Sequence, residues 1–426
     1  MKLLRLLWSY WQTKRLSFQT RQALESYQQQ KWQQFAQRTL IHSPYFKPYV
    51  GQDLADYPLM NKAVMLQHFD AMNTAGLRLQ DAFAVAMRAE KERDFAPTLQ
   101  GFSVGLSSGT SHQRGVFVVS EAEQAHWAGV ILAKLLPQGL LAGERVALVL
   151  RANNNLYETI DNRFIAFQFF DLLQPFDNIL QQLQAYQPSI IVAPAQVLRA
   201  LALVKQRGEH DLKPKQVISA AEVLSERDAA LITEVLGHVQ QVYQATEGFL
   251  AVTCTHGRLH LNEALLMVEP EWLDETRFIP IITDFSRTTQ PIVRYRLDDI
   301  LHNDPRPCPC GQVTRVISQI EGRLNDVLAL PKVGGGVVSV FADALERIMA
   351  QNLPLVCDYQ LTQTSDNNVF LAAEVVDMLA LNRLQDALKV FLQQQGVNVA
   401  ALQWQLSLTL PDIPMSQKRR RIQVQR

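Results

Sequence analysis

The sequence predicts an α/β fold: a large N-terminal domain with mainly parallel sheets and a β-rich subregion, then a small α+β C-terminal domain. Three observations carry this. Between Val116 and Leu250, short β-branched runs alternate with amphipathic helical stretches at the spacing of βα units. From Leu250 to His302 the runs become hairpin-like. After Gly322 come a helix, two paired runs and another helix. At 426 residues, 47% hydrophobic, the chain has the length for two unequal domains and the apolar content for a large core.

Taken in order, the first hundred residues read as helical and irregular. "VFVVS" is a short strand, and "SEAEQAHWAGVILAKLL" is a helix whose Ser120 and Glu123 stand three apart, as a capping box requires. "RVALVLR" reads as a strand, "NRFIAFQFFDLL" as a helix, and "PFDNILQQLQAYQ" as a further helix. "SIIVAPA" and "QVISAAE" are strands. Ser225 caps the helix "SERDAALITEVL", and "HVQQVYQATEG" returns to extended structure. "LAVTCTHGRLHL", "RFIPIITDF" and "PIVRYRLDDI" make the β-rich region. In the small unit, "FADALERIMA" and "LNRLQDALKVFLQQQ" are helices, while "DYQLTQ" and "NVFLAAEVV" pair. The expected domains are 1–321 and 322–426. In parallel α/β sheets ligands sit beyond the carboxyl ends of strands, which is where "SAAE" and "YQATEG" fall.

Composition excludes several classes. Lys+Arg and Asp+Glu both total 41, so net charge gives no argument for nucleic acid, and the basic run "QKRRR" is too short to change that. No apolar run approaches the roughly twenty residues a membrane-spanning helix needs. "MKLLRLLWSYWQTKRLSF" lacks a small-residue cleavage site, so a signal peptide is not expected and the cytoplasm is the default location. Leu3, Leu4, Leu7, Trp8 and Trp11 form one stripe at helical spacing. Docking on its own domain is the first reading of that stripe; membrane-surface contact is the alternative. Four cysteines in so long a chain do not make a disulfide framework.

The stretch "SVGLSSGTSHQRGVF" (103–117) is a flexible surface loop or an anion cradle, with backbone N–H groups and hydroxyls gripping phosphate oxygens. It lacks the spacing of a Walker loop. Its partners lie further on: "YQATEG", "PIVRYRLDDI", "EGRLNDVL" and "PMSQKRRR", in that order with a βα body between. Together these stretches resemble the adenylate-forming superfamily, in particular the branch of phenylacetate–CoA ligases and deazaflavin-adenylylating synthetases. The resemblance covers roughly Gly101 to the C-terminus.

The resemblance implies that a carboxylate attacks the α-phosphate of ATP, giving an acyl-adenylate and pyrophosphate, before a thiol takes the acyl group. Such chemistry depends on positioning and charge neutralisation. Ser107, Ser108, Gly109, Thr110 and Ser111 would hold phosphate oxygens, with Arg114 where the family has lysine. Thr246 would touch phosphate and Glu247 would supply the Mg²⁺ carboxylate, one hard oxygen ligand sufficing beside those of ATP. Tyr243 would stack near adenine, and Ala221 and Glu222 would offer backbone to the base edge. Gln244 stands where glycine is common. Asp299 matches the carboxylate that takes both ribose hydroxyls, its neighbour Asp298 facing solvent, and Arg323 matches an arginine reaching ribose or phosphate. Arg294 and Arg296 read first as ion pairs within the sheet. Asn325 falls at the hinge. Lys418 corresponds to the lysine that enters the site during adenylation; Arg419 or Arg420 share the role, or the run is a solvated tail.

"RPCPCGQ" brings Cys308 and Cys310 together, with Cys254 and His260 upstream; His256 competes as the fourth ligand. Three thiolates and one imidazole suit a closed, structural zinc site; the other reading is free buried thiols. The expected activity is therefore ATP-dependent activation of a carboxylic acid as an acyl-adenylate. The cofactors are ATP/AMP, Mg²⁺, coenzyme A and structural Zn²⁺. The partners are a small carboxylic acid and coenzyme A or an acyl carrier protein, with no nucleic acid and no integral membrane segment, and a homodimer is compatible with them. The alternatives are adenylyl transfer to a non-carboxylate acceptor and a non-catalytic nucleotide-binding homologue. Tyr157, Phe167 and Phe170 are equally acid-pocket or core candidates.

Overall fold

A computed structural model describes residues 2–92, 94, 96–106, 115–136, 138–150, 165–172, 174–323, 328–340, 345, 348–349, 351–354, 357–412 and 420–425. The chain opens with helices α1 (Lys2–Arg15), α2 (Arg21–Arg38), α3 (Lys62–Gln67), α4 (Phe69–Met72) and α5 (Leu79–Glu92). A small antiparallel sheet follows, of β1 (Thr98–Leu99), β2 (Phe102–Leu106) and β3 (Val116–Val119), so the serine-rich segment lies in sequence between two paired strands whose register closes at Leu106 opposite Val116.

The main sheet begins with parallel strands β4 (Glu144–Leu150), β5 (Ile165–Asp171), β6 (Ile190–Ala193), β7 (Gln216–Ser219) and β8 (Val239–Ala245). Its two faces follow from the two-residue period of a strand. Val146 and Leu148 pack towards helix α6 (Glu121–Leu135) and, beyond it, Leu6 and Tyr10 of α1. Ala147 and Val149 point the other way, onto α7 (Phe176–Tyr186), α8 (Ala195–Gln206) and α9 (Glu226–Leu236). Both faces of the sheet are therefore covered, which is why its strands carry so few polar residues.

The capping box of α6 forms as its sequence requires: the Glu123 N–H donates to Ser120 Oγ at 3.3 Å, and the Ser120 N–H donates to Glu123 Oε2 at 2.7 Å. The stretch "NRFIAFQFFDLL" does not form the expected helix. Its described part is β5, paired with β4 along its length and lying at the sheet's edge. The aromatic residues Phe167, Phe169 and Phe170 favour a pleated surface, and a short apolar run carries no period that separates the two states.

After β8 the sheet turns antiparallel through β9 (Gly248–Thr253), β10 (Leu259–Leu261), β11 (Leu266–Trp272), β12 (Arg277–Asp284), β13 (Ile292–Arg296), β14 (Asp299–Asp304) and β15 (Val316–Arg323). Trp32 and Phe35 of α2, with Phe46, Tyr57 and Met60, seal this region into one core. The small unit comprises the hairpin β16 (Leu328–Pro331) and β17 (Val337–Val340). It also holds a second sheet of β18 (Tyr359–Gln363), β19 (Asn368–Ala373), β20 (Gln403–Ser407) and β21 (Ile422–Val424), and helix α10 (Met378–Gln394). Its own core joins Leu384 and Leu388 of α10 to Leu361 and Leu371. Most of "FADALERIMA" lies outside the described residues. Among the described residues, no helix is long and apolar enough to cross a membrane.

Candidate active site

The site forms where the parallel half of the sheet meets the antiparallel half. Strand β7 ends at Ser219, and the Ala220 N–H still donates to Ala193 O at 3.1 Å. Ala221 then adopts φ +67°, a left-handed conformation that costs an L-residue about 1–2 kcal/mol. Glu222 turns back, its Oε2 accepting the Gln196 N–H at 3.3 Å near the start of α8. The backbone that leaves β7 is thus bent sharply at the crevice where the sequence places an adenine contact.

The next strand carries Tyr243, whose hydroxyl donates to Asp299 Oδ2 at 2.5 Å. Asp299 opens β14, and its register partner across the ladder is Arg323. Three residues assigned to the nucleotide thereby meet, although they stand far apart in sequence. The side chain of Arg323 is outside the described set. Asp298 is exposed.

Thr246 and Glu247 form the turn between β8 and β9. Gly248 follows, and a Cβ there would lie 2.9 Å from the Asp284 carboxylate, so the turn sits directly on that buried group. Underneath lies Arg287, fully buried, its Nη1 donating to Thr246 O at 3.2 Å and its guanidinium 5.1 Å from the centre of the Trp127 ring. Burial lowers the Arg287 pKa, and Glu123, Asp284 and Glu247 oppose that shift as its counter-charges. Glu123 is itself held by N–H donation from Thr288 at 2.7 Å and Thr289 at 2.9 Å, so the helix cap also fixes the arginine's loop.

Glu247, Thr246, Lys62, Gly115, Arg287 and Tyr295 line one narrow cleft. Burial raises the Glu247 pKa; a hydrogen bond from Tyr295 and the charges of Arg287 and Lys62 work against it. A carboxylate flanked by two cations is poor at gathering metal alone. The set would suit a polyphosphate that arrives with its metal, with Lys62 facing phosphate oxygens and Glu247 offering one oxygen to Mg²⁺. Gly115 brings the end of the serine-rich turn to this cleft. Sequence reasoning missed Lys62, Tyr295 and Arg287, since none stands in a motif with Glu247.

Several candidate positions lie outside the described residues: Ser107, Ser108, Gly109, Thr110, Ser111, Arg114, Tyr157, Asn325, Lys418 and Arg419. Among the rest, Gln244 is exposed at a register shift between β8 and β9. Arg296 pairs with Glu271 through two bonds of 2.7 Å, and Arg294 Nε lies 3.4 Å from Glu269. Phe170 is wholly buried in the core between β4 and α7. Phe167 packs against the core on the opposite face.

The cysteine cluster assembles. One potential ligand atom from each of Cys254, His260, Cys308 and Cys310 lies within 4.8 Å of the others. Cys254 Sγ is 3.7 Å from Cys308 Sγ, and Cys310 Sγ is 3.4 Å from His260 Nε2. The Thr314 hydroxyl is 2.9 Å from His260 Nδ1, which fixes the ring and turns Nε2 to the thiols. Burial lowers the His260 pKa and so favours the neutral, ligating imidazole. His256 is exposed and is not in the cluster. Three sulfurs and one nitrogen at these separations fit tetrahedral zinc.

No family model matches the sequence, and no curated protein matches it either. Solved structures do. A crystal structure of 2-hydroxyisobutyryl-CoA ligase in the postadenylation state with 2-HIB-AMP aligns with a TM-score of 0.68 at 14% identity, covering 93% of this chain and 88% of that one. The same ligase in an open conformation with 2-HIB-AMP and CoA gives 0.57 at 14% identity, covering 93% and 90%. The amide bond synthetase McbA from Marinactinospora thermotolerans gives 0.51 at 13% identity, covering 75% and 68%. At such identities the likeness is one of fold: this chain has the architecture of adenylate-forming ligases.

Proposed function

We propose that the chain activates a carboxylic acid with ATP and passes the acyl group to a thiol, of coenzyme A or of an acyl carrier protein. The observation that carries this is the meeting of the Tyr243–Asp299 pair and the Thr246–Glu247 turn at the same sheet end, on an architecture shared with acid–CoA ligases. In the first step a carboxylate oxygen attacks the α-phosphorus and the bond to pyrophosphate breaks. In the second, a thiolate attacks the acyl carbon and AMP leaves.

Within this reading, Asp299 takes the ribose hydroxyls while Tyr243 holds the carboxylate in place. Ala221 and Glu222 border the base. Thr246, Lys62 and the turn at Ser107, Ser108, Gly109, Thr110, Ser111 and Arg114 hold the phosphates. Glu247 supplies the protein oxygen for Mg²⁺, which when bound neutralises charge on the phosphates. Arg287 acts from below by fixing the Thr246 carbonyl. Residues 322–426 form the moving unit; Arg323 and Asn325 lie at its start, and Lys418 enters for the first step. Zinc at Cys254, His260, Cys308 and Cys310 staples the β-rich region and takes no part in the chemistry.

The test is ATP–pyrophosphate exchange across a library of carboxylic acids. Exchange that depends on one class of acid, and is abolished in a folded Glu247→Gln variant, supports the reading. Nucleotide binding without exchange for any acid makes the chain a non-catalytic homologue. AMP transfer to a non-carboxylate acceptor replaces the acid by another substrate class.

A further inference from the structure

Helix α1 carries two apolar faces. One is accounted for: Leu6 and Tyr10 are buried against α6. The other faces outward. Leu4 is 73% exposed, Trp8 70% and Trp11 56%, and Leu3 joins them. Residues 4, 8 and 11 fall within one narrow arc of a 3.6-residue helix, so the three side chains form a continuous ridge. Around it stand Arg5, Lys14 and Arg15, all exposed, with Lys2 at the helix start. The helix contains no acidic residue.

We propose that this ridge is a docking surface for an anionic lipid bilayer, on which α1 lies flat. Tryptophan pairs an apolar ring with an N–H donor and suits the headgroup boundary as it does a protein interface, so the charge beside the ridge selects the occupant. Among the described residues no ion pair engages the positive charge beside the ridge, which complements anionic headgroups with an attraction that falls off within a Debye length. A ridge one helix wide reaches only the headgroup boundary of the leaflet it faces, so attachment is peripheral and reversible. The whole chain, near neutral in net charge, has no general affinity for anionic surfaces, and the attraction is confined to this helix. The reading is independent of the adenylation chemistry.

The experiment is co-sedimentation of the full chain with vesicles of phosphatidylcholine alone and of phosphatidylcholine containing phosphatidylglycerol. Binding to the second and at least about tenfold less to the first is expected, lost at high ionic strength. The Leu4→Glu/Trp8→Glu/Trp11→Glu variant, altered only at exposed positions, should keep its melting temperature and lose binding about tenfold or more. Arg5→Gln/Lys14→Gln/Arg15→Gln should lose the anionic preference. Failure to bind either vesicle, or binding that the triple glutamate variant retains, overturns the proposal. So does a dimer that this variant converts to monomer in the absence of vesicle binding, because the ridge is then a protein interface.

Discussion

Arg421 holds Asp228 with both terminal nitrogens, Nη1 donating to Oδ2 at 2.6 Å and Nη2 to Oδ1 at 3.0 Å. Asp228 belongs to the first turn of α9 in the large unit; Arg421 immediately precedes β21 in the small one. Arg421 Nε also donates to Asp358 at 2.8 Å, and Arg199 Nη1 donates to Asp228 at 3.1 Å. Beside them Arg227 donates to Leu353 O at 3.1 Å and Cys357 O at 2.8 Å. The last arginine of "QKRRR" is therefore part of a buried charge network between the units and not a solvated tail.

Removing one member of such a network leaves opposite charges buried and unopposed, which costs about 3–5 kcal/mol. Asp228→Ala leaves two buried arginines, Arg421 and Arg199, to share Asp358, and should lower stability by about 3 kcal/mol, the lower end of that range, in urea unfolding. A double-mutant cycle with Arg421→Ala should show strong coupling. A loss under about 1 kcal/mol would mean that the units are held together elsewhere.

The same pair sets an acid limit. Burial works to raise the Asp228 pKa, but the charge of Arg421, its hydrogen bonds and Arg199 outweigh that, and the net shift is downward. A carboxylate with a depressed folded pKa contributes stability that is complete above its unfolded value, near about 3.9, and is lost as pH falls through the lower folded value. Melting temperature against pH should show the wild type losing stability below about pH 4 more steeply than Asp228→Asn does. Parallel curves would remove Asp228 as the cause.

At the nucleotide, Asp299→Ala should weaken ATP binding or adenylation by on the order of 3 kcal/mol, two charge-assisted hydrogen bonds being lost. Tyr243→Phe removes only the donor that steadies Asp299 and should cost about 1 kcal/mol. Asp298→Ala, at an exposed neighbour, should cost far less. Equal losses from the two aspartates, measured by calorimetry with ATP, would show that the register is wrong.

Metal analysis of protein purified without chelator should find about one zinc per chain, the capacity of a single Cys₃His set. The double variant Cys308→Ser/Cys310→Ser should lose it and unfold at lower temperature. Metal-free protein of unchanged melting temperature would leave the cluster as buried thiols.

Lys418 bears on the division of labour between half-reactions. Lys418→Ala should slow adenylation by about 10²- to 10³-fold, as removal of one electrostatic stabiliser does, while thioester formation from a synthetic acyl-adenylate is spared. If Arg419 or Arg420 substitutions have that effect instead, the role moves along the run. If none does, adenylation proceeds without a cation from this segment.

What could be read from the sequence was local. The capping box at Ser120 and Glu123, the Ser225 cap and the strand at "RVALVLR" are set by neighbours a few residues apart, and the folded chain keeps them. The convergence of Cys254, His260, Cys308 and Cys310 was legible because cysteine and histidine have few other reasons to gather. Glu123's second task, holding the turn at 288–289, was invisible, since the turn lies more than 160 residues away. Arg287 was missed for the same reason: beside Gln290 nearby in sequence, its burial needs Thr246 O and Trp127 from distant segments. The aromatic run of β5 was misread because its state depends on the adjacency of β4, not on its own period.

Gly129 sits in the middle of α6, where an alanine would add about 1 kcal/mol of helix propensity. A methyl group there would press to 2.8 Å from Ser9 Cβ and 2.9 Å from the Tyr10 nitrogen. The two helices therefore touch backbone to backbone, and one absent carbon decides whether α1 can rest in its seat. A single larger side chain at 129 would evict the helix and leave its outward ridge chemically untouched. The position thus separates two properties that changes on α1 itself confound: how the helix is carried, and what it can adhere to.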